Sequence, residues 1–295
     1  MTPLWIQKRV MRPLGILRRR IGFPLREDEK KIRRLKNICH GLPMAVIGNG
    51  PSMSIGVLDR LHDAGIPSCA ANKIYSVFDR TQWRPTFYCC EDPILYKYVN
   101  ENRHVLEFEC PFSIFPINNG VGDGWINSSH YHNVFPEPGK PPVFRCEPHV
   151  LVVCGHTIAT IMLQIAAYAG AARIYIFGVD MNYQPKIIEN NDGSYPMAIL
   201  DSKTNYFDEK MAKPGELFGA PAMDKALQYL NEAAKWFKKR GIPVFNCSPN
   251  SRVESFSKMT VEDGLRDLEQ CVARLTPGDR ERMRALARGA HRATS

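Results

Sequence analysis

The 295-residue chain has no apolar run long enough to cross a bilayer, so a membrane-spanning helix is not expected. Its first residues lack the apolar stretch and cleavage site of a secretory signal. The expected address is the cytoplasm, including the inner face of the cytoplasmic membrane. No C-x-x-C pair occurs among the nine cysteines, which argues against a zinc site. Nine is an odd number, and Cys69, Cys89, Cys90, Cys154 and Cys247 sit in or beside apolar runs, as buried thiols of a reducing compartment do. Two nucleotide signatures are also missing. No lysine stands in a Walker position, and Met53 occupies the place where a complete G-x-G-x-x-G would have its third glycine.

What is present is a length and composition suited to one large α/β domain with terminal additions. Its positive charge is concentrated. Residues 1–36 contain twelve Lys and Arg against Glu27, Asp28 and Glu29, interleaved with Leu4, Trp5, Ile6, Val10, Met11, Leu14, Ile16, Leu17, Ile21 and Phe23. This composition suits either an anionic membrane surface or packing on the domain or a partner. Nucleic acid is not an expected partner, because no recognised binding motif accompanies the basic arm.

The most informative stretch is Met44-Ala-Val-Ile-Gly-Asn-Gly-Pro-Ser52. A β-branched apolar run suits a buried strand, and Gly48 and Gly50 allow a tight turn. Pro51 and Ser52 then suit the start of a helix, with Ser52 or Ser54 as its cap. Strand, glycine turn and helix N-terminus in that order form a place for a phosphate. A second strand ends at Asn72, where strand ends in open α/β sheets meet ligands. A third, Thr86–Cys90, runs into Glu91, Asp92 and Pro93, where Asp92 suits a helix cap and the carboxylates are acid/base candidates. His130 and His132 could share a metal on one strand face, but no partner is spaced to complete the site. Val150–Thr157 repeats the first pattern: an apolar strand, Gly155, His156 and Thr157, then a helix apolar on nearly all sides. Two such turns side by side would hold one nucleotide. His156 reads as a ligand contact, an acid/base group or a helix cap. Arg173–Val179 is a further buried strand, ended by Asp180, and residues 181–220 read as a structureless insert serving as a lid.

The motifs Gly48-Asn-Gly-Pro-Ser52, Ala71-Asn-Lys-Ile-Tyr75, Phe87-Tyr88 followed by Asp92-Pro93, Gly178-Val-Asp180 and Cys247-Ser-Pro-Asn-Ser251 resemble, in order, those of bacterial sialyltransferases of the lipo-oligosaccharide type. They resemble still more a group of surface-polysaccharide proteins that includes hydroxymethylpterin diphosphokinase-like members. The similarity covers about residues 40–258. It implies a Rossmann-like nucleotide domain with a lid, and a CMP-linked acidic sugar as donor. Gly48, Asn49, Gly50, Pro51, Ser52 and Asn72 would bind the nucleotide and its phosphate. Cys154 and Gly155 would lie at the cytidine end, and Thr157 is a further nucleotide-binding candidate. Tyr183 and Tyr195 would stabilise the leaving phosphate. The chain also departs from the family: residues 196–230 contain no histidine where the family has its catalytic base. Asp92 stands where the family has an asparagine, and a diphosphokinase would use that carboxylate for Mg²⁺.

The resulting expectation is an α/β protein with a mostly parallel, helix-flanked sheet and a lid insertion. A basic arm (1–36), a nucleotide-binding domain (37–258, lid 181–220) and a charged helical extension (259–295) follow one another. The expected activity is transfer of a nucleotide-activated sugar to a glycan or glycolipid acceptor, without a cofactor, with His156, Glu91 or Asp92 as base. The alternatives are a Mg²⁺-dependent diphosphokinase and a non-catalytic nucleotide-binding subunit; an oligomer is compatible with all three.

Overall fold

A computed structural model describes residues 12–22, 25–117, 120–135, 139–188 and 196–289. Tyr195 and the first eleven residues of the arm lie outside the described residues. The basic stretch that is described forms helices α1 (Arg12–Ile21) and α2 (Glu27–Arg34).

Strand β1 (Pro43–Ile47) is buried along its whole length, as its continuous apolar run requires of a central parallel strand. It pairs in parallel with β2 (Ser68–Ala71) on one side and with β8 (Arg173–Phe177) on the other. The sheet continues from β2 through β3 (Phe87–Cys89), β4 (Phe112–Pro116) and β5 (Ser128–Tyr131). From β8 it continues through β12 (Val244–Asn246) and β13 (Ser257–Lys258). All neighbouring pairs in this eight-stranded sheet are parallel.

The chain leaves β1 in one direction and later returns to its other side. Right-handed crossovers therefore put helices on both faces. Helix α3 (Ile55–Ala64) starts at Ser54, whose hydroxyl accepts from the Val57 N–H, and ends at Gly65 with φ 67°. Helices α4 (Tyr96–Glu101) and α5 (Arg103–Glu109) carry the β3–β4 crossover. Helix α6 (Ile158–Tyr168), apolar all round, lies over β1, β2 and β3.

Two expectations are corrected. The strand read at Val150–Val153 is not a member of the central sheet. It is a short β7 (Val152–Val153) paired in parallel with β6 (Asn133–Val134), just beyond the end of β5. Its open edge is closed by a side chain: the buried Gln164 amide accepts from the Val153 N–H at 3.0 Å and donates to the Val153 carbonyl at 2.8 Å. An apolar run cannot reveal which edge it will pair with, and this one joins the strand that follows β5.

The insert at 181–220 is not structureless. Strands β9 (Pro185–Ile188), β10 (Met197–Leu200) and β11 (Leu217–Gly219) make an antiparallel sheet of their own, with α7 (Ser202–Asn205) between them. Its turn-rich composition masked short strands of only three or four residues. Beyond it, α8 (Met223–Lys239) packs on α6. Helix α9 (Val261–Ala273) buries Leu265 and Leu268 against β1, β8 and α3, and α10 (Pro277–Ala287) buries Met283 and Leu286. The C-terminal helices are thus part of the domain's packed layers.

Candidate functional site

The sheet order reverses between β1 and β8, and the loops leaving their carboxyl ends diverge there. Ligands of open α/β sheets bind in such a crevice. A cavity of about 630 Å³ opens at this point. It is walled by the loops after β1, β2, β3 and β8, by the start of α6 and by strands β10 and β11 of the small sheet.

The loop after β1 is shaped by its neighbour. A Cβ at Gly48 would overlap the carbonyl of Gly178, and one at Gly50 would overlap the Asp180 carboxylate. The Gly48 N–H donates to the Phe177 carbonyl at 2.7 Å and the Gly50 N–H to the Gly178 carbonyl at 2.8 Å. Ser52 donates from both its N–H (3.1 Å) and its hydroxyl (3.0 Å) to Asp180 Oδ2. The anion place expected on this turn is therefore filled by the protein's own Asp180. A phosphate would reach these donors only by displacing that carboxylate. Ser52, rather than capping α3, joins this lock, and Ser248 completes it: its Oγ lies 2.9 Å from Ser52 Oγ and accepts from the Gly178 N–H at 2.9 Å. Three stretches read separately in the sequence, at residues 48–52, 178–180 and 247–251, thus form one interlocked floor. Burial raises the Asp180 pKa, partly opposed by the two Ser52 hydrogen bonds.

Two asparagines beside this floor keep a buried acceptor without a partner. Asn49 donates from Nδ2 to the Ala71 carbonyl at 3.1 Å, which turns its Oδ1 away, and that atom is buried without a hydrogen-bond partner. Asn72 has φ 58° at the end of β2, a conformation asparagine tolerates, and its Oδ1 is likewise buried and unpartnered. Buried polar atoms normally have partners, so these two oxygens are exceptions on residues that line the cavity.

The opposite wall is acidic. Asp92 caps a short 3₁₀ turn, accepting from the Ile94 N–H at 2.9 Å, as its place before Pro93 predicts. Burial raises its pKa. Glu91 is raised by burial and, further, by the Asp92 charge, and it hydrogen-bonds with Cys154. Burial and the nearby Glu91 push the Cys154 thiol far up, so it is a neutral wall group. Lys73 is the only Lys or Arg on the cavity wall among the described residues, and its ammonium pairs with Glu216 of the lid with both side chains buried. It also lies 4.5 Å from the Tyr98 ring centre.

Although β7 left the central sheet, Cys154, His156 and Thr157 still reach the cavity because α6 starts there. Gly155 permits close packing: a Cβ there would meet Thr160 Oγ1 at 2.7 Å and Tyr229 Cβ at 2.8 Å. Thr157, not His156, caps the helix through the Ala159 N–H. His156 has φ 59° and stands exposed at the rim, with its pKa lowered by partial burial and by Lys225. Tyr183 also lines the cavity, its phenol pKa raised by burial and by Asp180. Gly48, Asn49, Gly50, Pro51, Asn72, Glu91 and Asp92 complete the expected residues brought together here, while Ser52 lies just behind the wall.

Asp180, Lys73 and Ser248 lie within the motifs above without an assigned contact, and Glu216 lies outside them. Their roles depend on the strand order and on where the lid docks. His130 and His132 are far from any such role. They face the carboxylates of α2, His130 Nδ1 at 3.3 Å from Asp28 and His132 Nε2 at 3.1 Å from Glu29. Among the described residues no cluster of three or more His, Cys, Asp or Glu is arranged to hold a metal ion, and no helix is long and apolar enough to cross a membrane. No family model, curated protein or solved structure matches the chain.

Proposed function

We propose that the protein is a glycosyltransferase that binds a nucleotide-activated sugar over the β1/β8 crevice. The observation that carries this reading is the cavity of about 630 Å³ at the switch point, walled by the loops after β1, β2, β3 and β8. A cavity of this size, at the carboxyl ends of the strands, suits a nucleoside and its phosphate. Lys73 is the cation for the donor's phosphate, once released from Glu216. Among donors, a CMP-linked acidic sugar is the one the motif resemblance favours.

In the reaction an acceptor hydroxyl gives its proton to a carboxylate as its oxygen bonds to the anomeric carbon. The bond from that carbon to the phosphate oxygen breaks, and the nucleotide leaves with the electron pair. Asp92 suits the base: the Ile94 N–H orients it, and its raised pKa makes it more basic than an ordinary aspartate. Glu91 is tied to Cys154, and His156 stands at the rim, where it suits acceptor contact.

The carboxylates favour a second reading. Glu91, Asp92 and Asp180 share the cavity with a single lysine. Mg²⁺ binds through one or two carboxylates plus phosphate oxygens, so Glu91 and Asp92 fit the protein half of a Mg²⁺-nucleotide site in a diphosphokinase. Calorimetry separates the two. CMP binding without metal, with turnover of a CMP-sugar lost in Asp92→Asn, is the expected result. ATP binding only with Mg²⁺, abolished by Asp92→Asn, would replace it with the kinase reading. Nucleotide binding without turnover of any donor would leave a binding subunit.

A further inference from the structure

Helix α1 is docked the wrong way round for a soluble amphipathic helix. Its arginines hold it to the domain. Arg19 is buried and donates to the Val150 carbonyl at 2.6 Å, Arg18 donates to Glu29 at 2.9 Å, and Arg20 pairs with Glu147 at 2.9 Å. From the neighbouring helix, Arg33 donates to the Arg19 carbonyl at 2.6 Å, closing the C-terminal end of α1. The apolar side faces outward: Leu14, Leu17 and Ile21 are 60%, 55% and 68% exposed. At about 100° per residue these three lie on one stripe, Arg19 lies opposite it, and Arg18 and Arg20 flank it.

Such a stripe needs an occupant, and the charge distribution identifies one. Residues 1–36 hold twelve Lys and Arg and three Asp and Glu, a net of +9, which is the formal net charge of the entire chain. The remaining residues are therefore balanced. All the net positive charge sits in the segment that presents the apolar stripe, and Arg26, Lys30, Arg34 and Lys36 on and beside α2 are exposed. Apolar side chains entering the headgroup boundary, ringed by cations that meet anionic lipid, is the chemistry of an interfacial helix. We infer that the outward face of α1 docks the protein on an anionic bilayer surface, with Leu14, Leu17 and Ile21 as the inserting residues. This inference does not depend on the reaction assigned to the cavity.

The test is co-sedimentation of the full chain with vesicles of phosphatidylcholine alone and of phosphatidylcholine mixed with phosphatidylglycerol. Wild type should bind the anionic vesicles, more weakly as salt rises, and not the neutral ones. The triple variant Leu14→Gln, Leu17→Gln, Ile21→Gln should lose roughly tenfold or more in partitioning. Because the three side chains are exposed, its circular dichroism and melting temperature should match wild type. Deleting residues 1–11 should leave most of the binding in place. Wild type that ignores anionic vesicles, or a triple variant that binds as wild type does, would overturn the inference. So would a wild-type dimer in solution that the triple variant dissociates, since another protein would then cover the stripe.

Discussion

Replacing Asp180 tests whether a carboxylate really fills the anion place of the first turn. Alanine leaves the Ser52 N–H without its acceptor and its hydroxyl with Ser248 alone, and leaving a buried donor unsatisfied costs about 1–3 kcal/mol. Asparagine keeps an acceptor oxygen and removes only the charge. Asp180→Ala should therefore lose about 2 kcal/mol in urea unfolding near neutral pH, and Asp180→Asn should stay within about 1 kcal/mol of wild type. The pH dependence has a definite sign. Burial raises the folded-state pKa of Asp180 above its unfolded value. Its contribution is present in full below the unfolded pKa and is lost as pH rises through the folded one. The stability of wild type relative to Asp180→Asn should accordingly fall across that interval, which lies above the ordinary aspartate range. Inorganic phosphate should raise the melting temperature of Asp180→Ala saturably and leave wild type unchanged, because only the variant has a vacant turn. Equal stability of the alanine and asparagine variants, or no phosphate effect on Asp180→Ala, would refute the reasoning.

Gly48→Ala should destabilise by about 3 kcal/mol, since its Cβ meets backbone of the Gly178 turn that cannot swing aside; an unchanged melting temperature would show that the two loops can part. Lys73→Met strands Glu216 in a buried setting and should loosen the lid, seen as faster hydrogen exchange over residues 197–219, with Lys73→Met/Glu216→Gln recovering part of the protection. Gln164→Leu removes both hydrogen bonds to Val153 and should cost about 2–4 kcal/mol in thermal or urea unfolding. Burial alone would raise the pKa of Glu29, but hydrogen bonds from Arg18, the Arg26 N–H and His132 bring it from 4.5 to about 2. Its stabilisation of the arm is present above 4.5 and lost as pH falls toward about 2, so limited proteolysis should cut between α1 and α2 only in that acid range.

Local chemistry was legible where one stretch contains its own cause. Val46 and Ile47 before two glycines mark a buried strand and turn, Gly65 ends α3, Asp92 before Pro93 is a cap, and Thr157 to Tyr168 is a buried helix. Each depends on neighbours within a few residues. The β7 assignment failed for the opposite reason. Val150–Val153 is as apolar as a central strand, yet its partner is chosen by where β5 ends and by Gln164, nearly two turns inside α6. The lid strands are not legible because their stability comes from pairing with non-adjacent segments, as far apart as Met197 and Gly219.

By itself the sequence determined that apolar strands would place Asn49, Asn72, Glu91, Asp92 and His156 at their carboxyl ends, two of them through glycine turns, because side-chain type and backbone freedom are local properties. Only the tertiary structure decided that β8 stands beside β1. That adjacency places Asp180 on the donors of Ser52, and the docking of the small sheet sets Lys73 against Glu216. It likewise decided that α1 spends its arginines on the domain and turns its leucines outward, because the acceptors at Glu29, Glu147 and Val150 become neighbours only in the folded chain.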